Sequence, residues 1–177
     1  QYPIDLRLDE QFGFFTGIVD VTRVKIRTPS VSGWEYYSAK DKFHALKYEV
    51  AVSMRTKTII WVNGPYKGLY PDITIFRHRL SHLFLPGEQM VADLGYRGTS
   101  KLDLPYMGQL SADKIRYNRI HNALRQFVEC ANNRFKFFKA FSTCWRHGFV
   151  LNQWCFHSVG RILNIVFTVG GEPLKRE

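Results

Sequence analysis

Cysteine is scarce in this sequence: Cys130, Cys144 and Cys155 are all there are, an odd number with no Cys-x-x-Cys spacing. That set argues against a disulfide framework or a zinc ribbon and fits a reducing compartment. No apolar run approaches the roughly 18 residues of a membrane span, no signal-peptide pattern opens the chain, and heptads and internal repeats are missing. The expectation is a soluble chain with no membrane partner. No Gly-x-Ser-x-Gly elbow is present, which removes the commonest signature of a serine hydrolase. Acids are the scarcer charge, 15 against 25 Lys and Arg, for a net charge of +10. Such an excess favours polyanionic partners such as nucleic acid or acidic membrane surfaces.

What is present is 177 residues, 45% of them hydrophobic, enough for one domain with a substantial core and with no linker-like stretch to divide it. A single domain over 1–177 is expected. The chain opens on Gln1 within an ordinary mixed segment, which reads as a piece of a longer protein. Residues 14–26 are β-branched and aromatic and predict a strand, with Asp20 interrupting its apolar middle. Residues 28–42 predict a loop, and 45–54 with 58–63 predict a hairpin. "GPYKGLYPD" predicts a break in regular structure, and Asp72 is placed to N-cap a helix carrying Ile75, Phe76, Leu80 and Leu83 at helical spacing.

A short strand is expected over 89–93, then a loop, then a helix from about 112 to 140 capped by Ser111, with Asp113 near its positive end. Its core stripe reads Ile120, Leu124, Phe127, Val128, Ala131, Phe135 and Phe138. A largely apolar helix over 150–169 closes the chain, and Trp34, Trp61, Trp145 and Trp154 read as core or interface anchors. Strands, a helix, a strand and then helices make a mixed α/β order.

Chemistry points to the acids, because they are few and oddly placed. Asp20 sits mid-strand, where an unpaired carboxylate costs several kcal/mol, roughly, unless it meets solvent, a partner or a cation. Asp93 ends a short apolar strand before a glycine turn, where α/β sheets commonly place ligand groups. Glu129 is the one acid among seven Lys and Arg between Lys114 and Lys139, on a helix face shared with Arg125, Asn132, Asn133 and Lys136. Each also has a plain structural reading: a paired aspartate, a turn former, and an ion pair of Glu129 with Arg125. Together, carboxylates on a basic chain suit hard divalent ions, Mg²⁺ or Mn²⁺, which take oxygen ligands. Two such ions activate an attacking oxygen and stabilise a leaving one in phosphodiester displacement.

The segments "VDVTRVKI", "YYSAKDKFHALKYEVAVS", "GPYKGLYPDITIFR", "VADLGYRG" and "YNRIHNALRQFVECANNRFKFFK", in this order, resemble the DDE-type transposases of the PIF/Harbinger group and the nucleases derived from them. The likeness runs from about residue 18 to 142, and 35 residues lie between Asp93 and Glu129, a spacing common in DDE enzymes. The resemblance implies an RNase H-like fold, a mixed central sheet flanked by helices. It also implies Asp20, Asp93 and Glu129 as catalytic metal ligands. Asp72 matches a further family aspartate with a metal or supporting role that competes with capping, although this chain has "KGLYPD" where the family usually carries a Pro-Gly-Ser-like turn. It implies DNA as substrate, with a separate upstream DNA-binding region or a Myb-like accessory protein recognising the element's ends. A homo-oligomer and a nuclear location in a eukaryotic host, otherwise an intracellular one, go with it.

Tyr96 and Arg97, after Asp93, are candidates for positioning a phosphate backbone, with packing and surface roles as their alternatives. Lys40, Lys42, His44 and Lys47, interleaved with aromatics, are candidates for DNA contact, as are Arg125 and Lys136; a solvated strand edge is the alternative for the first group. His78 and His82 have the i,i+4 spacing of a metal pair but lack the glutamate that would follow His78, and read as surface histidines. Two rival functions remain. One is a domesticated descendant that binds DNA or protein without catalysis. The other is an unrelated RNA-binding domain, weakened by the absence of RRM or KH signatures.

Overall fold

A computed structural model describes residues 15–169. Among them, strands β1 (Phe15–Lys25), β2 (Tyr37–Ser38), β3 (Phe43–Ser53), β4 (Ile59–Lys67), β5 (Gln89–Val91) and β6 (Leu102–Asp103) form a six-stranded mixed sheet. Helices α1 (Asp72–His78), α2 (Ala112–Lys136), α3 (Lys139–Ser142) and α4 (Phe149–Val169) flank it. β3 pairs antiparallel with both β1 and β4, while β1, β5 and β6 run parallel. This is the RNase H-like arrangement expected. The single-domain expectation over 1–177 extends beyond the described residues.

Alternation along β1 sends Ile18 and Val24 to one face and Val19 and Val21 to the other, and all four are buried because helices cover both faces. On the first face Tyr48, Val50 and Val52 of β3 meet Val128, Ala131 and Phe135 of α2 and Phe156, Val159 and Leu163 of α4. Phe156 is stacked between Tyr48, at 3.9 Å, and Phe135, at 4.2 Å, so one ring joins β3, α2 and α4. The Tyr48 hydroxyl donates to Asn152 Oδ1 at 2.7 Å, so its polar end is satisfied inside the core. On the second face Ile75 and Phe76 of α1 pack with Leu80, Met90 and Tyr96.

Several expectations need correction. The hairpin is present, but β4 continues through Gly64 and Pro65 to Lys67, where a register shift opposite Lys47 and Glu49 absorbs the irregular pair. The expected loop over 28–42 contains a turn of 3-10 helix, Gly33–Tyr36, and the short β2. Asp72 does not cap α1: the cap position is Pro71 and has no side-chain bond, while the Asp72 carboxylate turns toward Lys47. Helix α2 begins as expected, with Ser111 Oγ accepting from the Lys114 amide, but ends at Lys136. Its stripe also differs, since Ile120 is 55% exposed and His121 is buried in its place beside Asp103. Trp61 and Trp145 are core residues, whereas Trp34 and Trp154 are exposed. No described helix is long and apolar enough to cross a membrane.

Glu49, on the α1 face of β3, is fully buried and accepts a hydrogen bond from Trp61 Nε1 at 2.9 Å. Burial, against the opposing help of Trp61, lifts its pKa to about 8. The folded chain therefore holds this proton more tightly than the unfolded one. The stability it contributes is complete below the ordinary carboxylate pKa and is lost as pH rises toward 8. Glu49→Gln should remove that dependence: the wild type should lose about 3 kcal/mol relative to the variant between pH 5 and 8 in urea denaturation. Parallel pH profiles for the two proteins would refute a protonated Glu49.

Candidate active site

Register brings the first two acids together. In the parallel pair, Ile18 of β1 lies opposite Val91 of β5, so Asp20 and Asp93, each two residues further on, leave adjacent strands at the same level. The Asp93 side chain accepts from the Gly95 amide at 2.8 Å, which turns the chain sharply into the Leu94–Tyr96 3-10 turn. A side chain on Gly95 would displace both neighbouring carboxylates. A Cβ would stand 2.9 Å from Asp93 Oδ1 and 3.2 Å from Asp72 Oδ2.

Helix α2 lies over these strand ends and meets them with a polar stripe spaced one turn apart. His121 Nε2 is 3.6 Å from Asp103 Oδ2 on β6. Arg125 Nη2 reaches Asp93 Oδ2 at 4.0 Å and Glu129 Oε1 at 3.3 Å. Asn132 Nδ2 donates to Asp20 Oδ2 at 3.0 Å. Thus each of three neighbouring parallel strands offers an aspartate, and one helix supplies a polar group to each.

Charge is crowded here. Asp20 is lifted to a pKa of about 6, mainly by burial, with a backbone bond to Val21 opposing and the nearby Asp93 adding to the rise. His121 is pushed below the usual imidazole value by its burial, with Asp103 opposing. Asp20, Glu129, Asn132 and Lys136 line one cleft of about 480 Å³, with Arg23 and Lys25 on its walls. Acids and bases alternate in its lining, Asp41 pairing with Arg23 at 2.9 Å. Glu129 is half-exposed at the opening.

The expected site residues divide clearly by position. Asp20 and Glu129 share the cleft, and Asp93 lies beside Asp20 and joins Glu129 through Arg125. Asp72 stands across Gly95 from Asp93, but its own oxygens face Lys47 at 3.0 Å and Arg23 at 3.8 Å. Lys47 is not a surface contact for DNA. It is 6% exposed and also donates to the Tyr70 carbonyl at 2.7 Å. Tyr96 is fully buried in the second core, which decides for its packing role, whereas Arg97 is exposed. Lys40, Lys42 and Lys136 are exposed, and His44 Nδ1 lies 3.1 Å from Thr28 Oγ1. Sequence reasoning gave no role to Asn132, Asp103 or His121. The face shared by Arg125, Glu129 and Asn132 extends one turn back to His121, and that spacing is the signal that could have found it.

The donors fit a hard divalent ion by chemistry: oxygen-only carboxylates gathered where negative charge already raises a pKa. Their present positions are not a closed ligand set, for among the described residues no group of three His, Cys, Asp or Glu stands close enough to hold a metal. The Arg125 guanidinium occupies the space between Asp93 and Glu129 as the local cation.

The six-stranded mixed sheet flanked by helices, with β1, β5 and β6 parallel, is of the RNase H-like class. The chain belongs to the DDE superfamily endonuclease family, whose model matches residues 19–168. It is 30% identical over 141 residues to a probable transposase for insertion sequence element IS702 from Microchaete diplosiphon, covering 73% of this chain and 49% of that protein. The chain therefore spans about half the length of this curated relative. No solved structure matches it.

Because Asp93 helps hold the Asp20 proton, Asp93→Asn should lower the Asp20 pKa, read from carboxyl carbon shifts in an NMR titration. An Asp20 titration unmoved by that change would show the two carboxylates to be electrostatically separate.

Proposed function

We propose that this chain is the catalytic region of a divalent-metal-dependent DNA transposase, or of an endonuclease derived from one, that cleaves phosphodiester bonds and joins 3′ hydroxyls to target DNA. The observation that carries this reading is the shared level of Asp20 and Asp93 on adjacent parallel strands with Glu129 above them. Family membership and the likeness to a probable transposase support it.

Asp20, Asp93 and Glu129 would hold Mg²⁺ or Mn²⁺, which when bound supplies Lewis-acid activation of a water or sugar hydroxyl and stabilises the leaving oxygen. The protein's own part is positional. Asn132 fixes one oxygen of Asp20, a residue that lines the cleft. Lys25 and Lys136 give the cleft walls positive charge, suited to holding a phosphate backbone above the acids, while Arg23 is paired with Asp41 at 2.9 Å. Arg125, held between Asp93 and Glu129, keeps two carboxylates compatible in the resting chain. Asp72 serves in this reading as the counter-ion of Lys47 and Arg23, setting the wall behind Asp93. DNA is the partner, and a Myb-like accessory protein, a second copy of the chain and a nuclear site in a eukaryotic host, or otherwise an intracellular one, belong to the same proposal.

The Arg125 bridge favours a second reading, a descendant that binds DNA or protein without cutting, since a permanent guanidinium would take the ion's place. Cleavage separates them. With Mg²⁺ or Mn²⁺ the chain should nick DNA, and Asp20→Asn, Asp93→Asn or Glu129→Gln should lower the rate at least about 100-fold while DNA affinity stays within a few-fold. DNA binding without metal-dependent cutting would establish the second reading.

A further inference from the structure

A second concentration of positive charge lies at the β4 edge of the sheet, away from the acids. There the end of α1 and the turn after it bring His78, Arg79 and His82 against His157 and Arg161 of α4, around a cavity of about 510 Å³ that reaches Val62 of β4. No carboxylate lines it. His78 ends α1 and His82 sits in the 3-10 turn that follows, while His157 and Arg161 lie one turn apart on α4, so the two sets reach the cavity from separate elements. His157 is held below the ordinary imidazole value by burial and then by the Arg161 charge, which leaves Arg79 and Arg161 as the cavity's standing charges. Like charges gathered into a concave surface cost free energy that a bound anion offsets. Arginine's planar fork is suited to phosphate oxygens.

We infer that this cavity is a phosphate-binding site that grips the backbone of the DNA outside the point of cleavage. The inference rests on reading the chain as a DNA-processing domain. Its place in the sheet suits that use: Val62 pairs with Val50, and Val50 pairs with Asp20, so the cavity begins two strand spacings from the acidic site, roughly 10 Å. Backbone phosphates advance about 3.4 Å along the axis per nucleotide of a strand. The grip therefore falls about three or more nucleotides from the reacting bond. Anchoring at this distance fixes register without touching the chemistry.

The test measures binding of a labelled duplex by fluorescence anisotropy across a salt series, in EDTA and in an Asp20→Asn background so that cleavage plays no part. Arg79→Gln with Arg161→Gln should weaken binding at least about tenfold and flatten the salt dependence by about two phosphate contacts. A control pair removing the same charge elsewhere, Arg55→Gln with Arg146→Gln, should change affinity by less than about threefold. Equal losses in the two pairs would overturn the inference, as bulk charge would then account for both. A titration with inorganic phosphate provides the second arm: phosphate that binds the wild type but not the pocket pair, with duplex affinity unchanged by that pair, would make this a small-anion site and also overturn it. Failure here leaves metal-dependent cutting by the wild type untouched. Conversely, a chain that never cuts yet loses duplex affinity specifically in the pocket pair sinks the nuclease reading alone.

Discussion

Repulsion between Asp20 and Asp93 is the constraint around which the described structure is arranged. Parallel pairing of β1 with β5 places the two carboxylates at one level, and burial denies Asp20 much of the water that would screen it from Asp93. Something positive must stand nearby. In the resting chain part of that duty falls to Arg125, with Asn132 holding Asp20 by hydrogen bond. In the proposed function an ion from solution would take over this part from the guanidinium carried by the site's own helix.

Holding like charges together demands a stiff frame, and the core provides it. Phe156, pressed between Tyr48 and Phe135, fixes α2 and α4 to β3, and α2 is the helix that carries Arg125, Glu129 and Asn132. Behind the acids, Gly95 lets Asp72 and Asp93 approach from two elements, while Lys47 and Arg23 neutralise Asp72. The buried Lys47 and Asp72 are a matched pair whose value lies in placement, since desolvation consumes much of the attraction between such ions.

Much of this was legible in the sequence wherever one local rule dominated. Apolar alternation marked β1 and the hairpin, helical spacing marked α2 and α4, and Ser111 announced the start of α2. Asp20 and Glu129 stood out because each broke the pattern around it. Legibility failed where tertiary partners overruled local preference. Asp72 precedes a helix and has capping chemistry, yet a lysine two strands' pairing away claims its oxygens. His121 displaced Ile120 from the buried stripe because the surface beneath that turn of α2 is the Asp103 strand end and not apolar core. Lys47 looked like a surface cation because nothing in its neighbours reveals that Asp72 and the Tyr70 carbonyl lie overhead. Basic residues from two distant segments likewise show no relation until α1 and α4 flank the same strand edge.

In the proposed function these carboxylates accept a hard cation in exchange for Arg125. Titration of Mn²⁺ followed by electron paramagnetic resonance tests it without reference to activity. Stoichiometric binding that is lost in Asp20→Asn and tightened in Arg125→Gln is the result expected, since removing the guanidinium leaves Asp93 and Glu129 uncompensated. Mn²⁺ that fails to bind, or that binds equally well to the wild type and Asp20→Asn, would contradict it.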